Sequence, residues 1–146
     1  MFSCYYFRIF SSVILMSKYQ MLVSAIPQYL PEQSSPMDDV YTFAYNIEVI
    51  NSGQVGVQLI SRYWSVNDAN GLIQKVKGLG VVGRQPYLKP GESFEYTSGT
   101  RIATSSGTMH GSFFCVAEDG ERFDVEIPLF VLDAVSPDAG RHKFKK

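Results

Sequence analysis

Twelve glycines and seven prolines divide this 146-residue chain into short runs, and the clearest run between them repeats every second residue, not every 3.6. Over residues 41–50, Tyr41, Phe43, Tyr45, Ile47 and Val49 fall on one face while Thr42, Asn46 and Glu48 fall on the other. That is the pattern of a half-buried strand. Turn signals recur along the chain at Asn51-Ser52-Gly53, Asp68-Ala69-Asn70-Gly71, Lys89-Pro90-Gly91, Ser98-Gly99 and Ser105-Ser106-Gly107, where Gly, Asn, Asp and Ser favour sharp reversals. Strands are expected over residues 19–29, 41–50, 55–64 and 72–77, and around Phe94, Tyr96 and Ile102. A last hairpin is expected to bring residues 112–117 against 122–130 across Glu118-Asp119-Gly120, with Phe123, Val125 and Ile127 on one face and Arg122, Asp124 and Glu126 on the other. Short strands without interleaved helices, about seven to eight in all, predict an all-β, immunoglobulin-like or fibronectin type III-like β-sandwich and exclude doubly wound folds.

A content of 45% hydrophobic and 14% aromatic residues supplies a core for one domain, so a chain of this length needs neither disulfide nor metal to hold it. The net charge of −1 conceals an uneven distribution. Arg8 and Lys18 make the first 18 residues basic, and Arg141, Lys143, Lys145 and Lys146 make the tail basic. Residues 19–140 carry seven basic residues against all 14 acids, a net of −7. An acidic body repels a phosphate backbone, so nucleic-acid binding is not expected.

Residues 1–18 read as an apolar extension, 19–135 as the folded domain and 136–146 as a basic, solvated tail. The extension is too short, and too interrupted by Arg8, to span a membrane. It also reads as a signal peptide ending near Val23-Ser24-Ala25, or as an untranslated stretch before a true start at Met16 or Met21; the late start is the preferred expectation. Cys4 and Cys115 form no disulfide framework, and the cytoplasm is the expected compartment.

Gly78-Leu79-Gly80-Val81-Val82-Gly83 spells GxGxxG. A dinucleotide site needs a helix to start at that motif, and Pro86 and Pro90 forbid one here. Two readings remain. The glycines either make a tight corner requiring positive φ, or they offer backbone N–H groups as an anion nest flanked by Lys75, Lys77, Arg84 and Gln85. His110 and Cys115, an odd number apart on a strand, point to opposite faces and cannot share a metal; no metal site or cofactor is expected. The acids around the last hairpin, Glu118, Asp119, Glu121, Asp124 and Glu126, read as a solvated face. No nucleophile stands beside a base in a recognisable elbow, so an enzyme is not expected. Ser61-Arg62-Tyr63-Trp64 groups residue types common in binding hot spots, with Arg62 and Trp64 pointing one way and Tyr63 the other; the alternative is that Trp64 is core and Arg62 packs over its ring.

In order along the chain, YLPEQSSP, YTFAYNIEVIN, VQLISRYW, GLGVVGRQPYLKPGESFEYTSGT, GTMHGSFF and FDVEIPLFVLD resemble the ApaG family from about Tyr19 to Asp133, with only the N-terminal extension outside the pattern. The resemblance implies a β-sandwich and an association with cobalt and magnesium homeostasis or efflux. It also implies a binding module, since related domains occur within F-box proteins and a polymerase-interacting protein. The family's glycine motif, here Gly78, Gly80 and Gly83, has invited a nucleotide or pyrophosphate proposal, and genes for the family often neighbour those for diadenosine tetraphosphate hydrolysis and ribosomal RNA methylation. The expected function is therefore a non-enzymatic domain acting through an unidentified protein partner, with Arg62, Tyr63 and Trp64 as its surface. The alternatives are a sensor binding pyrophosphate or a nucleotide polyphosphate through Lys75, Lys77, Gly78, Gly80, Gly83, Arg84 and Gln85, and an enzyme of polyphosphate metabolism.

Overall fold

The computed structural model describes residues 18–134. Residues 1–17 of the apolar extension, with Met16 and Cys4, and the basic tail with His142 lie outside the described residues, whereas Lys18 is described and Met21 opens the first strand. Within them the chain forms eight strands: β1 (Met21–Tyr29), β2 (Tyr41–Asn51), β3 (Val57–Asp68), β4 (Ile73–Leu79), β5 (Tyr87–Leu88), β6 (Ser93–Ile102), β7 (Ser106–Ala117) and β8 (Arg122–Asp133). They make two antiparallel sheets, one ordered β1-β2-β6 and the other β4-β3-β7-β8, with β5 pairing the start of β3. This is the β-sandwich that the turn spacing predicts.

The faces follow the two-residue period. Phe43, Tyr45, Ile47 and Val49 of β2 are buried against Val57, Leu59, Trp64 and Val66 of β3 and against Phe113 and Cys115 of β7. Trp64 bridges the sheets, with its ring centroid 5.2 Å from that of Tyr45 and 5.9 Å from that of Phe130. The last hairpin forms as expected, with Val125 and Ile127 buried while Arg122, Asp124 and Glu126 are exposed. His110 and Cys115 do lie on opposite faces of β7, Cys115 fully buried. Burial first, and then the nearby Asp124 charge, push its thiol up to about 12.

Several boundaries differ from the expectation. β3 runs to Asp68 instead of stopping at Trp64, because both of its edges are paired, by β7 over nearly its whole length and by β4 over Ser61–Asn67. Ser98-Gly99 is not a turn. It lies inside β6, where Gly99 pairs Ala44 and a side chain would stand 3.2 Å from the Phe43 carbonyl oxygen. Gly107 likewise belongs to β7, and a Cβ there would stand 2.4 Å from the Asn67 carbonyl oxygen. In both cases glycine serves close strand approach.

The two sides of the sandwich are unlike. On one, β1 packs along β8 and joins the sheets. On the other, β4 and β6 are the sheet edges, and the glycine-rich segment 80–86 spans the gap between them, with Arg84 placing its guanidinium 5.6 Å from the Phe94 ring centre in β6.

Candidate functional site

The gap between β4 and β6 owes its shape to one irregularity in β3. Its register against β7 slips between Leu59 and Ser61, and the Ile60 carbonyl accepts the Gly80 N–H at 2.7 Å and the Gln85 side-chain amide at 2.9 Å. A β-bulge re-aims backbone groups in this way, and here it anchors both ends of the glycine corner. Val81 and Arg84 close the corner with reciprocal N–H to carbonyl bonds of 2.8 and 2.9 Å. The two residues between them, Val82 (φ 43°) and Gly83 (φ 79°), both have positive φ, the arrangement of a type I′ turn. Glycine accepts that conformation freely, but a β-branched valine there is a backbone outlier. Gly80 has φ 66°, and a Cβ on it would stand 2.4 Å from the Arg84 carbonyl oxygen.

Arg62 locks the corner from below. It pairs Gly78 across the β3–β4 ladder, and its Nη1 donates to the carbonyls of Leu79 at 3.0 Å and Gly80 at 2.9 Å. Gly78 is what makes room for it, since a Cβ at that position would lie 2.8 Å from the guanidinium nitrogens. The corner reading of the motif thus has a geometric basis at all three glycines, though Gly78 serves close approach and not positive φ.

The residues singled out in the sequence are not gathered at one point. Lys75 and Lys77 project from the outer face of β4, with Lys77 over the Tyr63 ring at 5.7 Å. Arg84 lies at the other side of the corner, over Phe94. Three of the corner's N–H groups, on Gly80, Val81 and Arg84, are engaged internally, and Gln85 acts as an anchor to Ile60. Trp64 is 3% exposed and so belongs to the core, not to a contact surface, while Tyr63 faces outward from Arg62 and Trp64, as strand alternation requires. Ser61, Tyr63, Lys77, Phe114 and Asp124 border a shallow outer groove of about 430 Å3.

Sequence reasoning missed the inward side of the gap. There a cavity of about 270 Å3 is lined by Tyr45, Arg62, Trp64, Leu79, Val82, Gly83, Tyr96 and Ser98. Burial raises the Tyr45 phenol above its ordinary range, and raises that of Tyr96 further, with the Arg62 charge opposing both. The signal available was two tyrosines at inward-facing strand positions, since a buried phenol calls for a hydrogen-bond partner. Among the described residues no group of three or more His, Cys, Asp or Glu stands close enough to hold a metal ion, and no helix is long and apolar enough to cross a membrane.

These features define a small two-sheet β-sandwich, joined along one side and bridged on the other by an arginine-anchored glycine corner. The family model described as the ApaG domain matches residues 31–117, and the chain belongs to that family. It is 62% identical over 120 residues to Protein ApaG of Acidovorax sp. (strain JS42), covering 82% of this chain and 88% of that protein. It is 56% identical over 117 residues to Protein ApaG of Ralstonia nicotianae, covering 80% and 94%. Among solved structures, a protein described as ApaA from Bordetella pertussis superposes with a TM-score of 0.80 at 47% identity, covering 82% of this chain and 97% of that one.

Proposed function

We propose that the protein is a non-catalytic binding domain of the cytoplasm, linked to cobalt and magnesium homeostasis through a protein partner that adds an extended segment along β4. The observation that carries this reading is the state of that strand. β4 is a sheet edge whose only strand partner among the described residues is β3, and Ile73, Val76 and Leu79 along it and Leu72 just before it are exposed. An open edge with apolar side chains is a template for strand addition. Lys75 and Lys77, interleaved with those residues, oppose self-pairing and favour a partner segment carrying acids.

The polyphosphate readings, as sensor or as enzyme, draw on fewer groups than the sequence suggests, because the corner's lysines and arginine project in different directions and several of its amides are engaged. The strand-addition reading is tested with Leu72→Glu/Ile73→Glu, two exposed positions where acids would repel an acidic segment. In a strain lacking the gene, this variant is expected to fold like the parent by circular dichroism and to fail to restore tolerance to cobalt. Restoration equal to the unaltered chain would refute the reading.

A further inference from the structure

Tyr96 projects from β6 into the sandwich at 8% exposure, and its hydroxyl is buried with no hydrogen-bond partner. A buried hydroxyl left unmade costs about 1–3 kcal/mol, so one lining a cavity marks the place where something else completes it. The cavity also contains a cation in fixed position. Arg62 is immobilised through Nη1 on the Leu79 and Gly80 carbonyls, and its charge acts on both the Tyr45 and Tyr96 hydroxyls. A phenol is protonated at neutral pH and can donate. Of the remaining lining, Trp64, Leu79 and Val82 are apolar and Ser98, hydrogen-bonded to Tyr45, is polar, and Val82 is held there by a turn conformation that a β-branched residue rarely adopts. Strain of this kind concentrates where a ligand is gripped. At about 270 Å3 the space falls below the range of roughly 300–1,000 Å3 typical of drug-sized ligands, and suits a group of a few heavy atoms.

We propose that this cavity binds a small carboxylate, with the Tyr96 hydroxyl and the Arg62 guanidinium donating to its oxygens and a short aliphatic stem lying against Trp64 and Val82. The carboxylate belongs either to a free short-chain acid or to an acidic side chain of a bound peptide. The site shares only Leu79 with the exposed edge of β4, so the Leu72→Glu/Ile73→Glu variant, which leaves Leu79 in place, retains it.

The single tryptophan of the chain lines the cavity and reports on it. The full chain is titrated with sodium propionate against sodium chloride at matched ionic strength, with Trp64 fluorescence followed. A saturable change is expected, and Tyr96→Phe is expected to weaken it about tenfold, the loss of one hydrogen bond to a charged group. The same variant should melt no lower than the parent, since its hydroxyl has no internal partner to lose. The proposal is overturned by the absence of a saturable change, by equal affinity in Tyr96→Phe, by a lower melting temperature of that variant, or by phosphate binding more tightly than propionate. A blocked tripeptide with a central glutamate separates the two sources: tighter binding than propionate assigns the site to a peptide side chain, and equal or weaker binding assigns it to a free acid.

Discussion

At Asn51 the last residue of β2 turns a fully buried amide into a junction. Its Nδ2 donates to the carbonyls of Val55 and Leu88, each at 2.8 Å, and its Oδ1 accepts the Gly53 N–H at 2.9 Å. One side chain therefore closes the turn after β2 and ties it to β5. Asn51→Ala leaves the buried Leu88 carbonyl and two part-buried backbone groups without their partner, and the expected cost is about 2–4 kcal/mol, read as a lower urea midpoint with an unchanged slope. The turn itself is legible in Asn51-Ser52-Gly53, because Asn and Gly favour reversal locally. The bond to Leu88 is not, because it joins residues 37 apart that only the completed sandwich brings together. Arg62 shows the same division. Alternation places it on the inward face with Trp64, but its bonds to Leu79 and Gly80 depend on the β3–β4 register and on the absence of a side chain at Gly78.

Among the elements, β2 and the β7–β8 hairpin are the most legible, since one face of each is buried and a slip of one residue would turn every apolar side chain outward. The bulge in β3 leaves no local mark, and neither does the strained Val82 turn, where the favoured Asn-Gly is replaced by Val-Gly. The hairpin tip also fastens the start of the domain. Asp119 accepts the Tyr19 hydroxyl and lies 3.5 Å from the Lys18 ammonium, and Tyr19 packs against Phe123 at 5.8 Å. The Tyr19 hydrogen bond, followed by the Glu121 N–H, lowers the Asp119 carboxyl below its ordinary 3.8. A carboxylate whose folded-state pKa is depressed contributes stability fully present above the unfolded value and lost as pH falls through the folded one. Melting temperatures followed downward from pH 6 are expected to fall less steeply below about pH 4 in Asp119→Asn than in the parent. Parallel curves would show that the contact adds nothing.

Taken whole, the molecule is a sandwich with one side joined by packing of β1 on β8 and the other held by a few directional bonds around the glycine corner. The proposed partner edge and the proposed carboxylate cavity both lie on that second side, one facing out and one facing in. Cys115 stands in the interior on β7, fully buried, with its thiol pushed up to about 12. Alkylating reagents attack the thiolate, so this sulfur is silent while the sheets stay together and reacts once they part. In a Cys4→Ser background, labelling of Cys115 should accelerate with urea in proportion to the unfolded fraction, and labelling that is insensitive to urea would reveal a local opening beside β7. The chain thus contains its own gauge of how much of it is unfolded.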